Sequence, residues 1–156
     1  MGAAENELTV ELGRLLPVLR PVAWAAFSEP ETLTRWWGPR GFTVPDVRWR
    51  PRTGATYRLE MQPPEGAPFA LAGVFREVEP PAQLAFTFGW DPPDPDDVET
   101  LVAVSFDDRG ESTALSVAQG SFKTQARREL HRDGWTQSLD RLVELLAAPG
   151  PGPRTA

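Results

Sequence analysis

Phe27-Ser28-Glu29-Pro30-Glu31-Thr32-Leu33-Thr34-Arg35-Trp36-Trp37-Gly38-Pro39 joins helix grammar to two adjacent tryptophans. Proline suits the first turn of a helix, where its missing N–H is not needed, so Pro30 opens a helix with Ser28 and Glu29 ahead of it. Gly38-Pro39 stops the turn that runs from Glu31 to Trp37. Trp36 and Trp37 therefore aim two large rings at whatever the rest of the chain builds. A second Trp-bearing helix lies far along the chain, around Gly134-Trp135, and strands rich in aromatics lie between. This order predicts a sheet gripping a long helix, with an apolar space between them.

Working outward, Glu7 to Pro17 reads as a first strand, with Leu8, Val10 and Leu12 alternating against Thr9 and Glu11. Pro21 opens a short helix, Val22 to Phe27, ahead of the Pro30 helix. Phe42 to Arg50 alternates again, with a slip of phase near Pro45-Asp46 that predicts a bulge or an edge strand. Ala55, Tyr57, Leu59 and Met61 share one face of the next strand. Phe69, Leu71, Gly73 and Phe75 form the next inward face, and Leu84, Phe86, Phe88 and Trp90 the most aromatic one. Val98 to Phe106 and Thr113 to Val117 follow in phase. From about Lys123 to Ala147 the period changes to 3.6, with Ala126, Leu130, Trp135, Leu139, Leu142, Val143 and Leu146 near one stripe. Strands joined by short polar turns pair antiparallel. A seven-strand antiparallel sheet must then cover its apolar face with the one long helix, an α+β grip. Residues 7–148 are expected to form a single domain, with disordered ends at 1–6 and 149–156.

Composition narrows the chemistry. The chain has 156 residues, 40% apolar and 24% charged, as an ordinary globular domain does. With no cysteine, disulfides and thiolate sites are excluded; with one histidine, His131, multi-His zinc sites are excluded too. No metal or other cofactor is expected. A net charge of −6 argues against non-specific nucleic-acid binding. No run approaches the ~18 apolar residues of a membrane helix, and the N-terminus lacks the parts of a signal peptide, so a cytoplasmic protein is expected.

Tyr57, Met61, Phe69, Phe75, Phe86, Phe88, Trp90 and Trp135 face the helix, with Trp36 and Trp37 at one rim. Two readings of these rings stand, a plain core and the walls of a ligand cavity. An apolar void costs on the order of 24 cal/mol per Å³, so an empty pocket of ~300 Å³ would cost about 7 kcal/mol, comparable with the whole stability of a domain. His131, one turn before Trp135, is a candidate polar anchor, or else lies on a solvated face with Lys123, Arg127, Arg128 and Arg132. Tyr57 is a second anchor candidate, but one phenol without a nearby base makes a poor acid–base centre. Asp91, Asp94, Asp96 and Asp97 lack the glycine and terminal glutamate of an EF-hand loop and read as a solvated hairpin tip. No catalytic motif emerges.

The chain resembles the SRPBCC helix-grip superfamily, which includes Bet v 1 allergens, START lipid-transfer domains and polyketide cyclases. The resemblance rests on Val22-Ala23-Trp24-Ala25-Ala26-Phe27-Ser28-Glu29-Pro30, on Leu33-Thr34-Arg35-Trp36-Trp37-Gly38-Pro39 with Phe42, and on Arg52-Thr53-Gly54. Gly73-Val74-Phe75-Arg76-Glu77-Val78-Glu79-Pro80-Pro81, Leu84 to Trp90, and Gly134-Trp135 with Leu139 and Leu142 complete it. Within that superfamily the chain is most similar to the branch named for the C-terminal domain of activators of the heat-shock-protein-90 ATPase. The resemblance implies a domain that binds a small hydrophobic or aromatic molecule between sheet and helix; it is expected to act as monomer or homodimer and, with no catalytic motif, without catalysis. Its alternatives are a cyclase- or lyase-like enzyme using Tyr57 and His131, or a stress-response domain that docks on a chaperone or regulator and stimulates an ATPase.

Overall fold

A computed structural model describes residues 8–148. The expected disordered ends at 1–6 and 149–156, and the strand start at Glu7, lie outside these described residues. The chain runs β1 (Val10–Leu16), α1 (Arg20–Ser28), α2 (Pro30–Leu33), β2 (Thr43–Arg48), β3 (Thr56–Gln62), β4 (Phe69–Glu79), β5 (Gln83–Asp91), β6 (Thr100–Asp108), β7 (Thr113–Gly120) and α3 (Gln125–Ala147). The strands form one seven-stranded sheet in the order β1-β7-β6-β5-β4-β3-β2, and every pair is antiparallel. This is the expected helix-grip α+β architecture.

Local chemistry explains the elements. Alternation makes β6 and β7 two-faced, with Val102, Val104, Phe106, Leu115 and Val117 buried and their neighbours turned outward. The slip near Pro45-Asp46 is a register shift between Thr43 and Asp46 on β2, which is an edge strand. A second shift, between Phe75 and Glu77, interrupts the pairing of β4 with β5. Bulges bend and twist a sheet, and a bent sheet can wrap a helix.

Gly73 answers a close approach. A methyl group there would stand 2.0 Å from the Thr87 carbonyl oxygen on β5. Gly38 has a φ of 97°, a left-handed conformation in which glycine is at ease. It turns the chain sharply after Trp37.

Thr124 caps α3, its side chain accepting from the Arg127 N–H at 3.1 Å. The buried residues of α3 are His131, Trp135, Ser138, Leu139 and Leu142. That corrects the expected stripe. Ala126 and Leu130 are exposed, Leu130 by 54% at the edge of the space described below. His131 and Ser138 take inward positions that an apolar stripe would fill. No helix among the described residues is long and apolar enough to cross a membrane.

Candidate functional site

The sheet and helix close on each other at one end and stay apart at the other. In the closed end Trp49 is the hub, with ring centroids 4.9 Å from Tyr57, 4.9 Å from Phe75 and 5.2 Å from Phe86. Phe27 of α1 packs on Trp36 at 4.7 Å and seals this end. Each polar atom here has a partner. Trp36 Nε1 donates to the Ala26 carbonyl at 2.9 Å, Trp49 Nε1 to the Phe27 carbonyl at 2.6 Å, and the Tyr57 hydroxyl to the Thr87 carbonyl at 2.6 Å. Burial raises the Tyr57 phenol well above its usual range, so it stays protonated.

At the other end lies a cavity of about 410 Å³. Met61, Phe69, Phe88 and Trp90 of the sheet form its floor, and Trp37, Gly38, Pro39 and Phe42 form a side wall. Leu130, His131, Gly134, Trp135 and Ser138 of α3 form the roof. Pro92, Asp94, Asp97 and Arg127 border the mouth. The rings brace one another, with Trp37 5.4 Å from Trp135, Phe69 5.3 Å from Trp90, and Phe88 5.0 Å from Trp90. A broader groove of about 480 Å³ beside Trp24 is bordered by exposed Arg50, Arg52 and Pro80 and is open surface rather than an interior space.

Seven of the eleven residues singled out in the sequence border this cavity: Trp37, Met61, Phe69, Phe88, Trp90, His131 and Trp135. Trp36, Tyr57, Phe75 and Phe86 do not. They are interlocked in the closed end, because α1 and α2 plug that side of the sheet. Tyr57 is therefore placed away from the cavity, with its hydroxyl already engaged. Trp36 and Trp37 part company because adjacent residues at a helix end point in different directions.

His131 is not on a solvated face. It is 8% exposed, its ring 4.6 Å from Phe122 and 5.3 Å from Phe88. Trp90 Nε1 donates to His131 Nε2 at 3.1 Å. Burial pushes the His131 pKa down to about 4, against a smaller upward pull from Asp97. The ring is neutral at pH 7. The acidic loop is likewise more than a solvated tip. Arg127 pairs with Asp94, and its Nε lies 3.4 Å from Asp97, while Lys123 Nζ donates to the Pro95 carbonyl at 3.0 Å. These contacts tie the β5–β6 loop to α3 across the mouth. Among the described residues, no three His, Cys, Asp or Glu side chains gather as a metal site would need.

Several residues escaped the sequence reading. Arg141 donates to the carbonyls of Arg35, Trp37, Gly38 and Pro39 at 2.8–3.2 Å, and Ser138 Oγ accepts from the Gly38 N–H at 2.9 Å. Gln137 accepts from the Arg40 N–H at 3.0 Å. The wall after Trp37 is thereby fastened to the helix. The one signal of this arrangement in the sequence is Gly134, a residue that weakens a helix by roughly 1 kcal/mol against alanine. A methyl group at Gly134 would meet nothing within 4 Å. Here glycine leaves room in the roof.

Comparison with known proteins places this geometry in a family. No curated protein matches the chain. Among solved structures, a protein of Chromobacterium violaceum is 25% identical with a TM-score of 0.82, the match covering 91% of this chain and 99% of that one. The AHSA1 protein of Silicibacter pomeroyi is 28% identical with a TM-score of 0.79, covering 89% and 97%. A protein of Nitrosomonas europaea is 28% identical with a TM-score of 0.75, covering 90% and 94%. The model of the Activator of Hsp90 ATPase homolog 1-like protein family matches residues 20–147, so the chain belongs to that branch of the SRPBCC superfamily.

Proposed function

We propose that this protein is a cytoplasmic, non-enzymatic module that holds a small apolar or aromatic molecule between the sheet and α3. The observation that carries the proposal is the cavity of about 410 Å³ walled by Trp37, Phe42, Phe69, Phe88, Trp90 and Trp135. Sealed and dry, a void of that size would cost on the order of 10 kcal/mol, as much as the stability of many whole domains. A fold that keeps such a space, and thins its own helix at Gly134 to do so, is suited to an occupant. His131 is the polar anchor within it.

The test uses thermal shift and native mass spectrometry with neutral aromatics, fatty acids and isoprenoids. A true ligand at a hundredfold excess over its Kd adds about 2.7 kcal/mol, a rise of several degrees in Tm. Gly134→Leu, which fills the roof, is expected to abolish the shift without lowering the Tm of the free protein. If no class of molecule raises the Tm, binding is excluded.

The family's name supplies a second reading, stimulation of a chaperone ATPase. Unchanged ATP turnover of the cognate chaperone with this protein added would remove it. Catalysis by Tyr57 with His131 is disfavoured by the placement of Tyr57 in the closed end.

A further inference from the structure

The indole N–H groups on the two sides of the grip are unequally satisfied. Trp36, Trp49, Trp90 and Trp135 each donate their indole N–H to a protein acceptor, Trp135 to Gln119 Oε1 at 2.7 Å. Trp37, which borders the cavity and is 5% exposed, donates to none among the described residues. No fully buried polar side-chain atom lacks a partner among the described residues, so the Trp37 N–H keeps contact with open space.

His131 adds a second donor by elimination. An indole N–H can only donate, so His131 Nε2, which accepts from Trp90, is the bare nitrogen. A neutral imidazole then carries its proton on Nδ1. That atom has no partner among the described residues and is not sealed from open space either.

Ser138 is the third. Its oxygen accepts from Gly38, and its own proton has no acceptor among the described residues. Seven residues of helix is close to two turns, so His131 and Ser138 face the same way, about 10 Å apart along the axis. Gly134 lies between them and adds no side chain. The charged groups are at the mouth, where two carboxylates, Asp94 and Asp97, face one guanidinium, Arg127.

Resting on the binding function proposed above, we infer that the occupant is an uncharged, flat apolar molecule bearing hydrogen-bond acceptors, carbonyl oxygens foremost. Trp37, His131 and Ser138 supply the donors. A bare hydrocarbon displaces water from these donors and leaves them unpaired, at about 1–3 kcal/mol for each one sealed off. A carboxylate lipid brings a negative charge towards a mouth that already holds two carboxylates for one cation.

Three probes of nearly one shape separate these cases: 2-acetylnaphthalene, 2-ethylnaphthalene and 2-naphthoate, titrated by tryptophan fluorescence and calorimetry. Hydrophobicity alone ranks the ethyl compound first. The expected order puts the ketone first, at least fivefold tighter than the hydrocarbon, with naphthoate last. In His131→Leu the ketone's advantage is expected to narrow severalfold, in part because the hydrocarbon, with one unpaired donor fewer, binds more tightly. Trp37→Phe, which keeps a ring and removes the N–H, gives the same readout should the first variant not fold. If the hydrocarbon or naphthoate binds best to the wild type, or the ketone keeps its advantage in a folded variant, the acceptor rule is overturned while binding in the cavity stands. If none of the three binds the folded protein, this inference falls, and the wider panel of fatty acids and isoprenoids decides the binding function separately.

Discussion

At one end of the grip Trp49, Tyr57, Phe75 and Phe86 interlock edge to face; at the other Trp37, Phe69, Phe88 and Trp90 stand around a hollow. Both ends are built from aromatic residues on the same curved sheet, so composition does not distinguish them. The covers do. The closed end is plugged by Phe27 and Trp36, whose shapes fill the concavity. The open end is roofed by α3 from Leu130 to Ser138, where Gly134 leaves a gap between His131 and Ser138. Polar partners follow the same division. Trp36, Trp49 and Tyr57 are satisfied within the protein, whereas Trp37, His131 and Ser138 each keep a donor with no acceptor among the described residues.

The sharpest way to break this comparison is to truncate one ring in each end. Trp49→Ala is expected to cost about 3–5 kcal/mol in urea denaturation, since Trp49 is 2% exposed and touches four other rings. Trp90→Ala, at the half-buried rim, is expected to cost no more than about 2 kcal/mol. Equal losses would mean that the two ends are packed alike.

His131 gives the next largest effect. Its pKa falls from the ordinary 6.5 to about 4 on folding. Above pH 6.5 the ring is neutral in both states, and its contribution to stability is fully present. Between pH 6.5 and 4 the unfolded chain takes up a proton that the folded chain does not, so stability falls by up to about 3 kcal/mol. Asp97 and Arg127, the charged groups beside it, act in opposite directions. Compared with His131→Phe, the wild type should lose more stability across this window; parallel curves would show the ring to be solvated after all.

Gly73→Ala sharpens the packing of the closed end. Its methyl group meets backbone, the Thr87 carbonyl that also accepts from Tyr57, so a loss of about 1–3 kcal/mol is expected. An unchanged urea midpoint would show that β4 and β5 can move apart freely. Gly134→Ala is the smallest change and has the opposite sign. It should stabilise the helix by about 1 kcal/mol, because its methyl group enters open space. A loss instead would mean that the roof is already full.

Strand alternation and the change of period at the last helix made the sheet and its cover legible from sequence, down to the slip at Pro45-Asp46. The aromatic faces were legible too, but not their division between core and cavity. Alternation says which face a ring occupies and nothing about what stands opposite. Phe86 and Phe88 share a strand face, yet one meets Trp49 and the other the hollow. The apolar stripe expected on α3 was misread at Leu130 and His131, because a helix over a cavity reverses the usual rule at its mouth. Arg141 gave no signal at all. Its partners are carbonyl oxygens, which every residue has.

Those carbonyls make the container lopsided in its fastenings. Arg141, Ser138 and Gln137 lash the helix to the 35–40 segment as if by a hinge pin, through backbone groups, with one exposed ion pair, Arg40 with Glu144, at its edge. Across the opening Arg127 and Lys123 hold the acidic loop, Arg127 through the exposed Asp94 and the buried Asp97 side chains, and Lys123 through the Pro95 carbonyl. Salt therefore reaches the Arg127–Asp94 and Arg40–Glu144 pairs, whose carboxylates stand in water, before it reaches Asp97 or the carbonyl contacts of Arg141.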